Sequence, residues 1–381
     1  MMPQNNRNIE VNIFYGPSSE LTNIYKLETL SSYVTLLQVA SRLDAARTFA
    51  KKELLHFEEE ALVIWPEEFF GVNDNFTNSL WRNILETNLQ KVYIANPPSL
   101  LVEQAKLLKV KVTERSHKYQ QISLKLIKDV TTQLEDTVIG QDQAVHSLSR
   151  SLTALMNNQK KPVVVMLFGP TGVGKTESAK IIAKALGGEA SRIQFSMFQT
   201  NSLAEFLYGS KINSRSFAAD LLERQSNVVI FDEFDKAGST FHSAFYQLFD
   251  EGVFVDKNYQ VNMSDALIVC TSNYSSPEEI RKNLGDPLSS RFSAFIKYEP
   301  LDQSAKTTII KQKIGQIYDS YPEDLQKTID KAAIETRFMP ALCKLNNVRE
   351  ITNSIEYIMS DFILKPLNDE KGIVDTVQPG T

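Results

Sequence analysis

Cysteine is nearly absent: the 381 residues contain two, Cys270 and Cys343. They are far apart, in apolar stretches, without CxxC or Cys/His spacing. That excludes a disulfide framework and offers no zinc site. Long apolar runs are missing too. The longest, Val163 to Phe168, has six residues, against about 20 for a membrane-spanning helix. The opening stretch MMPQNNRNIE lacks the apolar segment of a secretory signal. Excess basic charge is also lacking: 41 Lys and Arg stand against 46 Asp and Glu, a formal charge of −5. A globally basic nucleic-acid coat is thereby excluded, a local basic patch is not. No internal repeat or low-complexity tract occurs. These absences lead to the expectation of a cytoplasmic chain with no membrane partner. What is present is 42% hydrophobic residues, enough for packed cores. At roughly 150 residues per domain the length suits two or three domains.

Residues 1–9 are polar and expected to be loose. Up to residue 113, short β-rich runs (Val11–Tyr15, Ala61–Trp65, Lys91–Ala95, Val110–Thr113) alternate with helical patterns (Tyr33–Phe57, Thr77–Leu89, Leu100–Leu108). The order predicts a small N-terminal α/β domain over 1–113, without a glycine fingerprint or catalytic constellation. A linker helix is expected over 114–136. Seven Lys or Arg against three acids lie between 101 and 130. They read either as a phosphate-binding stripe or as a solvated helix face. Sparse aromatic residues favour the second.

From Val138 the pattern changes. A helix over Asp142–Met156 precedes VVVMLF, a continuous apolar run of the kind a buried parallel strand shows. Further runs at Arg192–Phe195, Val228–Phe231 and Leu267–Cys270 are separated by helices such as Thr176–Leu186 and Phe217–Arg224. This predicts a large α/β domain over 137–300 with a parallel sheet. After Pro300 four helical patterns predict an all-helical unit over 301–366: Gln303–Tyr318, Glu323–Thr336, Met339–Lys344 and Val348–Leu364. A frayed tail is expected over 367–381.

Two motifs carry chemistry. Gly169-Pro170-Thr171-Gly172-Val173-Gly174-Lys175-Thr176 fits GxxxxGK[ST]. Its glycines let backbone N–H groups form a concave nest for phosphate oxygens. Lys175 would reach the β- and γ-phosphates, and the Thr176 hydroxyl would ligate Mg²⁺. The helix that follows offers its positive end to the same anion. An apolar strand leads in and an amphipathic helix leads out, so the context suits the motif. The second motif is an apolar strand, Val228–Phe231, that ends in Asp232 and Glu233. Asp232 would sit over the metal, and Glu233 would polarise the attacking water. Asp235 extends the acidic cluster without an assigned role.

These segments resemble the AAA+ ATPases, most closely the second ATPase module of Clp-type unfoldases and disaggregases. The resemblance covers roughly residues 136–365. It is carried by VIGQDQAV (138–145), FGPTGVGKTESAK (168–180), VVIFDEFDKA (228–237), ALIVCTSN (266–273), LSSRFSAFIKYEPL (288–301) and NVREITNSIE (347–356). It implies ATP and Mg²⁺ as cofactors and a homo-oligomeric ring, six-membered by analogy. Val138 and Ile139 would line the adenine pocket, and Asn273 would help hold the water. Arg291 would reach a neighbouring subunit's site. Arg349 would contact the γ-phosphate and couple nucleotide to lid rotation, although the family's Gly-Ala-Arg stands here as Asn347-Val348-Arg349.

The chain departs from that pattern in one place. The stretch 205–225 contains no Gly-aromatic-Val-Gly loop, and Tyr208 is its nearest aromatic. Polypeptide threading is therefore not implied. No loop for docking a peptidase ring and no second nucleotide module occurs. The leading expectation is an ATP-hydrolysing remodeller that acts on a protein partner chosen by the N-terminal domain. A nucleic-acid-associated switch or loader and a nucleotide-gated scaffold with little turnover are the alternatives.

Overall fold

The computed structural model describes residues 9–368, apart from 31, 60, 158–159, 199 and 213. The tail expected over 367–381 lies almost wholly outside these residues, as do residues 1–8. Two parallel five-stranded sheets organise the chain. The first is built from β1 (Glu10–Tyr15), β2 (Val34–Thr35), β3 (Ala61–Ile64), β4 (Lys91–Ala95) and β5 (Lys111–Ser116), in the order β2-β3-β4-β1-β5. The second contains β6 (Val163–Phe168), β7 (Ser191–Gln194) and β8 (Val228–Asp232). A separate antiparallel hairpin follows, of β9 (Val253–Val255) and β10 (Gln260–Asn262). Then β11 (Leu267–Ser272) and β12 (Ala294–Lys297) complete the second sheet in the order β12-β6-β11-β8-β7.

Alternation along the central strands divides the second core. Val163, Val165 and Leu167 face one layer, together with Val228, Ile230, Leu267 and Val269. Val164, Met166 and Phe168 face the other, with Val229, Phe231, Ile268 and Cys270. Both faces are covered, so the strands read as unbroken apolar runs. Helices at Leu124–Thr137, Asp142–Leu152 and Lys175–Ala185 fill the first layer. Helices at Thr200–Tyr208, Phe217–Leu222 and Tyr246–Glu251 and the hairpin fill the other. Beyond β12, the elements between Gln303 and Asn368 are all helical, and the long Val348–Asn368 helix packs on Gln303–Ser320 around Ile310, Ile314, Ile351 and Ile355.

Several elements differ from the sequence expectation. The helix expected over 33–57 runs only over Leu36–Phe49, opened by a Thr35/Gln38 capping box and closed by Ala50 at φ 52°. Farther on, Phe57 is buried outside any helix, its backbone N–H and C=O both taken by the Asn88 side chain (2.7 and 2.8 Å). In place of the helix expected over 77–89 there are two short ones, Asp74–Asn78 and Leu80–Leu85. Residues 114–116 belong to β5, whose register carries on to Ser116 opposite Tyr15, so the helix expected from 114 starts only at Leu124 under a Ser123 cap. In the C-terminal helices, 323–336 is broken into Glu323–Gln326, Lys331–Ala333 and the wider turns of Ile334–Phe338. β2, the β9–β10 hairpin and β12 carried no strand expectation; each is four residues or shorter.

The seven basic residues between 101 and 130 spread over a helix, a turn, a strand, a loop and a second helix, and do not form one stripe. Lys106 pairs with Glu114 (2.9 Å), Lys111 with Glu10 (2.8 Å), and Arg115 lies over Tyr25. Among the described residues no helix is long and apolar enough to cross a membrane.

Candidate active site

In open parallel sheets ligands gather at the carboxyl ends of the strands, where the strand order reverses. Here β6 lies between β11 and β12, and its register places Phe168 beside Ser272 of β11 and Lys297 of β12. The loop 169–174 leaves β6 at that edge. Gly169 has φ 128°, and a Cβ on it would meet the Tyr298 carbonyl oxygen; Gly172 has φ 71° and lies against Asn347. Both positions therefore require glycine. Pro170 and Thr171 are exposed at the loop tip, while Val173 is buried beneath it.

Lys175 opens the following helix and is itself buried. Its Nζ donates to the carbonyls of Gly169 and Pro170 (both 2.6 Å) and to Asn273 Oδ1 (3.3 Å). Burial lowers its pKa to about 8. The nearby charges of Asp232 and Asp235 work against that shift, and Arg349 adds to it. Thr176 Oγ1 donates to Asp232 Oδ1 (3.2 Å), which also accepts from the Thr271 hydroxyl. Burial alone would raise the Asp232 pKa. The Thr271 hydroxyl, the Arg192 guanidinium and the Thr176 hydroxyl outweigh it and hold the carboxyl below its ordinary value. Glu233 has φ 55°, its N–H donates to Thr271 Oγ1 (3.1 Å), and its carboxylate accepts from Gln194 Nε2 (3.3 Å).

The residues singled out from sequence mostly converge. Lys175 bonds to Asn273 and its chain neighbour Thr176 bonds to Asp232, with Glu233 attached to the second pair through Thr271. Val138 lies against Gly174, and Ile139 packs against the same core. The C-terminal helices reach the loop directly: the Val348 N–H donates to the Gly172 carbonyl (3.0 Å). Arg349, next in the chain, is exposed, and its charge acts on Lys175. Arg291 stands apart. It is held by Asp250 (2.7 Å) and the Pro287 carbonyl and lies over Tyr246, none of which bonds to the loop group. Three contributors were not singled out: Arg192, Gln194 and Thr271. Arg192 and Gln194 alternate on β7, and Thr271 sits two residues before Asn273. Two polar residues two apart on a strand next to the acid-terminated strand are the signal that could have marked the first pair.

The donor set suits a magnesium ion brought in by phosphates. Thr176 Oγ1 and Asp232 Oδ1 are hard oxygen donors beside the nest. Among the described residues no group of three or more His, Cys, Asp or Glu could hold a metal alone. Mg²⁺ is typically held by one or two carboxylates plus substrate phosphates.

Residues 160–343 match the AAA domain (Cdc48 subfamily). Chaperone protein ClpB of Chlamydia pneumoniae is 37% identical over 159 residues, 38% of this chain and 18% of that protein. The ATP-dependent Clp protease ATP-binding subunit ClpL of Staphylococcus aureus (strain USA300) is 27% identical over 234 residues, 55% of this chain and 32% of that protein. The chain thus matches only 18% to 32% of the length of these curated relatives. Among solved structures, "Closed State CryoEM Reconstruction of Hsp104:ATPyS and FITC casein" aligns with a TM-score of 0.55 at 13% identity, covering 95% of this chain and 89% of that chain. The S. cerevisiae Hsp104-ADP complex gives 0.53 at 18% identity, over 71% of this chain and 43% of that chain. At such identities the likeness is one of fold. Strand order, loop and acid-terminated strand agree with the family match: residues 160–343, just under half of the chain, carry the AAA domain. More narrowly, that module is Clp-like, similar to parts of ClpB and ClpL.

Proposed function

We propose that this chain binds ATP·Mg²⁺ at the loop 169–176, hydrolyses it, and uses the resulting movement of residues 301–366 to remodel a protein partner. The observation that carries this reading is the group built by Lys175, Thr176, Asp232 and Asn273 at the carboxyl ends of β6, β8 and β11. Lys175 and the loop N–H groups would hold the phosphates. Thr176 and Asp232 would hold Mg²⁺, which supplies charge neutralisation at the phosphates when bound. Glu233 would orient the attacking water, with Asn273 beside it. Asn347 and Val348 rest on Gly172, so a ligand that alters the loop would also bear on the helix carrying Arg349.

A ring is part of the same proposal. Arg291 is tied to Asp250 away from the loop of its own chain, which supports its serving a neighbouring copy. Residues 9–116 would choose the partner. Threading is not included: the connection after Tyr208 is short, and the Tyr208 carbonyl is bonded to Lys257 (3.0 Å). A cytoplasmic location belongs to the reading and is supported by two buried, unpaired cysteines. The decisive experiment measures ATP turnover by the purified chain with and without Mg²⁺, for the wild type and Glu233→Gln. Turnover abolished by the substitution, with nucleotide binding retained, supports the reading. Binding without turnover even in assembled wild type would favour a nucleotide-gated scaffold.

A further inference from the structure

The Asp232 carboxylate is divided between two kinds of donor. Oδ1 accepts the Thr176 and Thr271 hydroxyls. Oδ2 accepts from the Arg192 guanidinium, through Nε (3.0 Å) and a terminal nitrogen. Arg192 comes from β7, the edge strand whose register sets Gln194 opposite Asp232. Two residues earlier on the same face, Arg192 can reach forward to the strand end. The Asp232 side chain it meets is only 8% exposed, whereas the Arg192 side chain is 39% exposed. A buried carboxylate without a cation is costly. Lys175, the other nearby cation, is bonded to the Gly169 and Pro170 carbonyls and to Asn273. Arg192 is the ion-pair partner of Asp232 among the described residues.

Two N–H groups of one planar fork on a single oxygen restrict rotation of the carboxylate. With Oδ2 held, Oδ1 is left facing Thr176. We infer that Arg192 is a positioning residue for the metal-holding carboxylate, fixing Asp232 so that Oδ1 and Thr176 Oγ1 stand ready together. It acts through Asp232 and not on the nucleotide. The inference rests on the proposal that the loop takes ATP·Mg²⁺.

The test uses the full chain and a fluorescent ADP analogue. Binding is measured in EDTA and then across a Mg²⁺ titration, for wild type, Arg192→Gln and Arg192→Lys. In EDTA the variants should bind as wild type does. The Mg²⁺ midpoint of Arg192→Gln should rise on the order of 10-fold, the usual effect of losing a partner that orients a metal ligand. Arg192→Lys keeps the charge without the fork and should recover part of that loss. An unchanged midpoint, or equal weakening in EDTA and in Mg²⁺, overturns the inference. Should Arg192→Gln fail to fold, Arg192→Lys decides: its midpoint must exceed that of wild type. Wild type that binds nucleotide with no Mg²⁺-dependent step overturns the ATP·Mg²⁺ reading itself. A wild-type Mg²⁺ step with unshifted variants overturns only the role of Arg192.

Discussion

Lys175 is an ammonium in a place that penalises charge. Burial brings its pKa down to about 8 from an ordinary 10.5. The unfolded chain therefore binds more protons than the folded chain between about pH 8 and 10.5. Stability contributed through this group is lowest below pH 8 and rises across that window. Phosphate binding has the opposite preference, because an anion beside Nζ favours the charged form. Nucleotide affinity should be highest below pH 8 and fall as pH rises through it, with proton uptake on binding at pH 8.5. Calorimetry in buffers of different ionisation heat reads that uptake. Its absence in wild type, or its persistence in Lys175→Ala, would show that another group is responsible. Lys175, Thr176 and Asp232 were legible in the sequence because each stands in a contiguous motif, the first two in one and Asp232 in another. Arg192 and Thr271 could not, because their roles depend on which strands lie beside β8.

At the scale of elements, the loop 169–174 is shaped by its neighbours as much as by its own glycines. Gly169 passes so close to the Tyr298 carbonyl that any side chain would collide with it, and its φ of 128° is strained for other residues. Gly169→Ala should therefore cost about 2 kcal/mol or more. For a unit of this size that corresponds to a melting midpoint lower by roughly 4–8 °C. An unshifted midpoint would mean that β12 yields to the loop. The same backbone shift should weaken nucleotide binding, since the nest N–H groups would be re-aimed. Helix and strand interiors were legible here, whereas ends often were not. The 33–57 pattern is not one helix: it closes at Ala50, and Asn88, 31 residues after Phe57, holds the Phe57 backbone in a non-helical segment. Local periodicity carries no trace of such a partner.

Across the whole molecule, two junctions set what the chain can do alone. The first joins the two sheets. Glu223, just past the Phe217–Leu222 helix, accepts from the Ser18 N–H (2.8 Å) and from the Asn96 side chain, which also bonds to Gly16 across the carboxyl ends of β1 and β4. Nearby, Arg224 is buried and lies over Tyr119 (4.4 Å). Glu223→Ala would leave two donors without an acceptor, a loss of about 1–2 kcal/mol. Limited proteolysis within 117–123 should then speed up by roughly 5–30-fold; equal rates would mean the sheets are held elsewhere. The second is the junction proposed between copies. Arg291→Ala should bind nucleotide normally yet lose on the order of 10³-fold in turnover. Mixing it with Glu233→Gln should restore part of the activity, because some interfaces then pair an intact Glu233 with an intact Arg291. No recovery on mixing would argue against a shared site.

The amino-acid sequence by itself determined the glycine-rich loop, the acid-terminated strand, the alternation of buried strands and helices, and the helical C-terminal part. These depend on residues close in the chain, where periodicity and motif spacing act directly. Only the tertiary structure decided that Arg192 holds Asp232, that Asn347 and Val348 rest on Gly172, and that Glu223 ties the two sheets together. Each of those contacts joins residues between 40 and 205 positions apart. Their existence follows from strand order and register, which no local pattern encodes. The few cysteines and short apolar runs excluded whole classes of protein, but the partners of its buried charges were chosen by the fold.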